Sequence, residues 1–193
     1  SPFNFQLASI NGGSKRNAIP REAEAVIFMH SNNESKAREI INEYSLESVI
    51  EFNNVENNFK VTFEKTDKPS LKNKNAYKNS LKEKIINVIL AMPHGVINMS
   101  PDIPNLVETS TNLATIVEEG NELRIGTSQR SSIESSKRNI ARAVRSVFEL
   151  SFADVAVGDG YPGWQPNMDS RVLKLSKEVF KNLFSKDADV KAV

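Results

Sequence analysis

Apolar and polar residues alternate through Phe-Asn-Phe-Gln-Leu-Ala-Ser-Ile (residues 3–10), break at Asn11-Gly12-Gly13, and give way to β-formers over residues 19–29. Period-two patterning on both sides of a glycine break predicts an antiparallel hairpin with a loop long enough to carry function. Ser31-Asn-Asn-Glu34 reads as a capping box, with the Ser oxygen on the N3 amide and the Glu reaching back, ahead of Ala37, Ile40, Ile41 and Tyr44 at helical spacing. Phe-Lys-Val-Thr-Phe-Glu (59–64) alternates again and predicts a third strand. A polar, proline-containing junction over 67–75 leads to a helix with Leu81, Ile85, Val88 and Ile89 on one face.

The second half repeats the order. Residues 106–117 predict a strand, 118–121 a turn and 122–129 a returning strand. Ser131-Ser-Ile-Glu134 is a second capping box, opening a helix whose buried stripe is Ile140, Val144, Val147 and Phe148, and 155–157 predicts another strand. The pattern is hairpin, capped helix, strand, written twice over about 1–66 and 76–160, and it predicts an α+β fold with an antiparallel β-sheet covered by helices, in a ferredoxin-like arrangement. Aligning Ser31 with Ser131 places His30 opposite Arg130, each at the end of a returning strand and before a helix N-terminus, where side chains and free amides converge on anions. Gly-Asp-Gly-Tyr-Pro-Gly-Trp-Gln-Pro (158–166) reads as a structured loop holding the one Trp. Asp169 or Ser170 caps a last helix with Val172, Leu175, Val179 and Leu183 on a stripe, and 190–193 begins a strand.

Composition narrows the function classes. The 193 residues are 39% hydrophobic, and 25 Lys plus Arg nearly balance 24 Asp plus Glu, so no global attraction to nucleic acid or to an anionic membrane is expected. With no cysteine there is no disulfide, thiolate nucleophile or Cys-type zinc site, as suits a reducing cytosol. The longest apolar run, 85–92 interrupted by Asn87, is far short of the roughly 20 residues of a membrane span. Both ends read as cut: the chain opens Ser-Pro-Phe without an initiator Met and closes in an alternating run.

Autonomous chemistry is hard to assemble from these residues. The two histidines, His30 and His94, stand apart without His-x-Asp, His-Glu-x-x-His or paired-Cys spacing, and there is no Gly-x-Ser-x-Gly elbow or phosphate-binding glycine motif. His94, in Met-Pro-His-Gly after a helix end, is expected to satisfy terminal carbonyls as a cation. Arg138, Arg142 and Arg145 build a basic stripe on one helix, for which a solvated face is the expected role and RNA binding the alternative. The residues best suited to hold a ligand are Asn17, in Asn-Gly-Gly-Ser-Lys-Arg-Asn-Ala-Ile-Pro (11–20), and Arg130. A guanidinium binds carboxylates through two parallel bonds, and a carboxamide both donates and accepts.

Four strings carry a resemblance: Asn-Gly-Gly-Ser-Lys-Arg-Asn-Ala-Ile-Pro-Arg-Glu-Ala (11–23), Val-Glu-Thr-Ser-Thr-Asn-Leu (107–113), Gln-Arg-Ser-Ser (129–132) and Gly-Tyr-Pro-Gly-Trp-Gln-Pro-Asn (160–167). In order and over the whole chain, the sequence resembles the aminoacyl-histidine dipeptidases, carnosinase-like dizinc metallopeptidases. The resemblance implies the lid of such an enzyme, residues 1–168, with 169–193 leading back to a catalytic domain that holds two zinc ions and is absent from this chain. It implies that Asn17 and Arg130 grip the free carboxylate of a dipeptide substrate. His30 stands where eukaryotic carnosinase-like relatives carry an Arg, so its substrate role is open. The family's metal motifs and its Gly-Gly-His-Ser-Gly string are missing here. The resulting expectations are an inactive chain in isolation, a cytoplasmic parent hydrolase for Xaa-His and related dipeptides, and homodimerisation through the lid. A non-enzymatic ferredoxin-like binding or regulatory module is the alternative.

Overall fold

The computed structural model describes residues 3–66, 75–165 and 167–190. The fold is α+β: β1 (Phe5–Gly12), β2 (Ala23–Met29), α1 (Glu34–Phe52), α2 (Asn79–Ala91), β3 (Gly95–Met99), β4 (Val107–Glu119), β5 (Glu122–Ser131), α3 (Glu134–Leu150) and α4 (Arg171–Phe184). By compactness the chain divides into a first unit, Ser1–Asn11 with Ala23–Ile85, and a second, Gly12–Glu22 with Ile86–Val193.

In the first unit β1 and β2 are hydrogen-bonded neighbours, and Leu7, Ala8, Val26, Ala37 and Ile85 are buried. The segment before α2 leans on β1: the Tyr77 amide donates to the Leu7 carbonyl at 2.8 Å, and the Lys82 ammonium donates to the Phe5 carbonyl at 3.0 Å while lying 4.7 Å from the Phe5 ring centre. The first capping box does not form. His30 instead caps a 3-10 turn, Ser31–Asn33, accepting from the Asn32 amide on Nδ1 at 3.3 Å, and Glu34 pairs with Arg38 one turn on. The inward side of α1 centres on Ala37, Ile41, Ser45 and Ser48, while Tyr44 faces out.

Residues 59–64 form no strand. Their alternation survives as half-buried Phe59, Val61 and Phe63 against exposed Lys60, Thr62 and Glu64, but side chains of α1 hold them in place of a ladder. The Phe59 ring lies 5.4 Å from that of Phe52, and Arg38 covers Phe63 at 5.3 Å while donating to its carbonyl at 3.1 Å. The period was right and the pairing was not, since alternation reports one buried and one exposed side rather than a hydrogen-bonded neighbour.

The second unit is built on β4. It pairs antiparallel with β5 from Thr109↔Ser131 to Glu119↔Glu122, and on its other side with β3 (Gly95↔Thr111 to Met99↔Val107) and with Gly12 (Gly12↔Ile116). Gly120-Asn121 closes the hairpin, with Gly120 at φ 61 and Asn121 at negative φ, the signs of a type II′ turn. β3 was not expected from sequence; the β-branched pair Val96-Ile97 was its only local signal, and its register with β4 is irregular. α3 packs across β5 and β4, where Val88, Met92 and Val144 are buried together with Leu113, Ile125, Val147 and Phe148 against them. Each fully buried aliphatic side chain contributes about 1.5–3 kcal/mol.

Three further expectations change. The second capping box is absent: Ile133 precedes α3 without a side-chain cap, and Ser131 Oγ accepts from the Ile133 amide at 3.0 Å while sharing a 2.8 Å hydrogen bond with Thr109. Residues 155–157 are irregular. His94 does not cap α2; its Nδ1 accepts from the Leu113 amide at 3.0 Å, a role that a protonated nitrogen cannot fill. Ser170 caps α4 as expected, accepting from the Leu173 amide at 3.3 Å. The junction at 67–74, Pro166 and the strand start at 191–193 lie outside the described residues.

Gly13, at φ 64, sits so close to the Ala114 carbonyl of β4 that a Cβ there would overlap it. Gly13→Ala is therefore expected to destabilise the chain by at least about 1–2 kcal/mol, from the left-handed backbone alone, and urea denaturation would measure it.

Candidate functional site

Direct opposition in an antiparallel ladder puts two residues on the same face, and successive residues on opposite faces. One face of the β4–β5 ribbon carries Thr109, Thr111 and Leu113 opposite Ser131, Gln129 and Thr127. This is the helix-covered side: Thr109 and Thr111 are buried, Gln129 donates to Thr111 at 3.2 Å, and Leu113 packs on the core. The other face carries Ser110 opposite Arg130 and Asn112 opposite Ser128. The apolar face is spent on packing, which leaves the polar face available for recognition.

The loop between β1 and β2 reaches this polar face. The Gly13 amide donates to the Glu22 carbonyl at 3.0 Å and closes the neck, and a turn from Lys15 to Ala18 forms the tip, with the Ala18 amide on the Lys15 carbonyl at 3.2 Å. Asn112 Nδ2 donates to the Ala18 carbonyl at 2.8 Å. Asn17 is thus held one residue from a bond to the strand that bears Asn112, and its side chain is exposed. Arg130 is exposed and its side chain makes no hydrogen bond or ion pair with any described residue, as is also true of the side chains of Lys15 and Arg21 in the loop. The unpaired Arg130 guanidinium lies on this face, and the loop that Asn112 ties to it carries Lys15, Asn17 and Arg21. Guanidinium and carboxamide groups are chemically suited to a carboxylate.

Residues 158–165 run past the end of β5 and the start of α3. Gly158 lies near Arg16 Nη1, and a Cβ at Gly163 would lie 2.7 Å from the Ser131 carbonyl, so glycine at 163 lets this segment run against the end of β5. Glu134 and Lys137, at the start of α3, pin it: Lys137 pairs with Glu134 at 2.8 Å and donates to the Tyr161 carbonyl at 2.7 Å, and the Gly163 amide donates to Glu134 at 3.4 Å. The hydrogen bond from Lys137, then that from the Gly163 amide, holds the Glu134 carboxyl below the usual carboxylate range.

The structure brings Asn17 and Arg130 into one unit and places His30 in the other, where its ring serves the 3-10 turn. Arg138 and Arg145 of the basic stripe are engaged along their own helix with Glu134 (3.6 Å) and Glu149 (2.6 Å), as a solvated face would have them. Among the described residues no group of three or more His, Cys, Asp or Glu could hold a metal, so the donor set does not fit zinc and no metal step is derived for these residues. No helix among them is long and apolar enough to cross a membrane. Sequence reasoning missed Asn112, although an Asn is out of place by propensity in a strand interior.

These features describe an α+β domain with a polar, cation-bearing face, and residues 1–48 match the peptidase dimerisation domain. The likeness extends over nearly the whole chain. It is 30% identical over 193 residues to the cytosol non-specific dipeptidase of Escherichia coli, covering 99% of this chain and 39% of that protein. It also superposes on the crystal structure of aminoacylhistidine dipeptidase from Vibrio alginolyticus with a TM-score of 0.86 and 27% identity, covering 98% of this chain and 38% of that one. The chain thus spans about two fifths of the length of these relatives. The resemblance to the aminoacyl-histidine dipeptidases, in their lid and dimerisation portion, holds.

The depressed Glu134 carboxyl gives a pH test. A carboxylate with a lowered folded value contributes above its unfolded value and loses that contribution as pH falls through the folded one. Anisotropy of the single Trp, Trp164, is expected to stay level from neutral pH to about 4.5 and to fall below that as the pinned loop is released. Glu134→Gln should flatten this acid limb.

Proposed function

We propose that this chain is the lid of a dipeptidase that clamps the free carboxylate of Xaa-His and related dipeptides between Arg130 and Asn17. The observation that carries this reading is the uncompensated Arg130 on the same β4–β5 face to which Asn112 ties the loop bearing Asn17. The likeness to a cytosol non-specific dipeptidase and to an aminoacylhistidine dipeptidase supports the substrate class and a cytoplasmic setting. Hydrolysis in this reading belongs to a zinc-dependent catalytic domain outside these residues, with residues 1–168 forming the lid and 169–193 leading back to it. His30 is a subsidiary candidate contact.

Fixing the carboxylate places the scissile peptide in register, so the clamp acts by positioning. In the complete natural chain that contains these residues, Arg130→Ala is expected to lower kcat/KM for an Xaa-His dipeptide by about 2–5 kcal/mol, roughly 30-fold or more, with Arg130→Lys recovering part of the loss. An unchanged kcat/KM would overturn the reading. The 193-residue chain alone is expected to cleave no dipeptide, and turnover by it would have the same force.

The dimerisation-domain match supports self-association through the lid. α1 carries an apolar stripe at Leu46, Val49 and Ile50, with Leu46 66% and Ile50 77% exposed, a surface that a partner copy would cover. Leu46→Asp with Ile50→Asp is expected to shift the chain from dimer to monomer in sedimentation velocity, without loss of helix signal.

A further inference from the structure

We infer that Asn112 is a positioning residue for the candidate site: its carboxamide holds the tip of the 12–22 loop and thereby sets where Asn17 stands relative to Arg130. This rests on the proposed carboxylate clamp and extends it to a residue that touches no substrate.

The two ends of the Asn112 side chain are treated differently. Nδ2 donates to the Ala18 carbonyl at 2.8 Å, while Oδ1 is buried and has no hydrogen-bond partner among the described residues. A buried acceptor without a donor costs stability, and a leucine of nearly the same shape would avoid that cost. The amide is thus a poor choice for packing, and the bond to Ala18 is what it achieves.

That bond holds the end of the loop that the neck cannot. The base is fixed by the Gly12↔Ile116 pairing, by Gly13 seated on the Ala114 carbonyl and by the Gly13–Glu22 hydrogen bond of 3.0 Å. Beyond it the turn from Lys15 to Ala18 closes on itself and does not fix the tip to the sheet. The Asn112 bond to Ala18 supplies that tie. Because consecutive Cα atoms are about 3.8 Å apart, anchoring Ala18 confines Asn17. On the ribbon, Asn112 opposes Ser128, and Arg130 is the diagonal neighbour on the same face, about 7–8 Å away in a regular ladder. One side chain therefore links the loop bearing the carboxamide to the strand bearing the guanidinium.

The test uses the complete natural chain that contains these residues, with Asn112→Leu and Asn112→Asp, the second keeping the size while replacing the donor with an acceptor. Both variants are expected to raise amide hydrogen exchange at residues 14–20 by about tenfold or more, and Asn112→Leu to keep or raise Tm. KM for an Xaa-His dipeptide should rise about tenfold with a smaller change in kcat. In an Asn17→Ala background the Asn112→Leu change should add less than about twofold, since a residue acting through Asn17 has nothing left to position. Unchanged exchange at 14–20 in both variants, or a full additional loss in the Asn17→Ala background, would overturn the inference. The exchange measurement needs no substrate, so failure of the tie shows there. Failure of the clamp itself shows as an Arg130→Ala enzyme with unchanged kcat/KM.

Discussion

The register of β4 against β5 is the constraint on which the second unit depends. Because side chains alternate across a strand, pairing Thr109 with Ser131 and Leu113 with Thr127 commits one side of the ribbon to α3 and the hydrophobic cluster around Val144. The same pairing sends Arg130, Ser128, Asn112 and Ser110 to the opposite side. A slip of one residue would exchange the two sets, burying a guanidinium against Val147 and Phe148 and exposing Leu113. Core stability and the composition of the polar face are thus fixed by one ladder. The shift in register between Leu113 and Thr115 ends this regular stretch, and Ala114 beside it offers the carbonyl on which Gly13 rests.

What could be read from the chain depended on whether a feature was local. The β4–β5 hairpin and the stripe of α3 were legible, because period and turn chemistry act within a few residues. Arg130 and Asn17 stood out by residue chemistry in a loop and at a strand end. Both capping boxes were misread, since the motif specifies donors and acceptors but not competitors: His30 took the first turn, and Ser131 was taken up by Thr109 and by the Ile133 amide. Residues 59–64 show the converse, a correct period without a partner. Asn112 was invisible because its meaning lies in a bond to Ala18, ninety-four residues away.

A recognition surface of the kind proposed for Arg130 and Asn17 makes different demands from a catalytic one. Nothing in the Arg130 face requires a shifted titration or a buried charge; it requires cations left without partners and a backbone that keeps them there. The rigidity comes from glycines that admit close contacts at Gly13 and Gly163, from the Lys137–Glu134 pair at the foot of α3, and from the Asn112 bond. Ion pairs elsewhere among the described residues, such as Lys36–Glu39 and Arg145–Glu149, contrast with the unpaired side chains of Arg130, Lys15 and Arg21.

β4 shares one edge between two neighbours, β3 near Thr111 and Gly12 at Ile116, and in the interval the Leu113 amide is satisfied by the imidazole of His94. Sheet continuity is normally a property of the main chain, which substitution cannot remove except through proline. Here one rung is written in a side chain. The seam is therefore heritable as sequence: a single codon change at His94 leaves an amide of a central strand with no acceptor, and a single change can restore it.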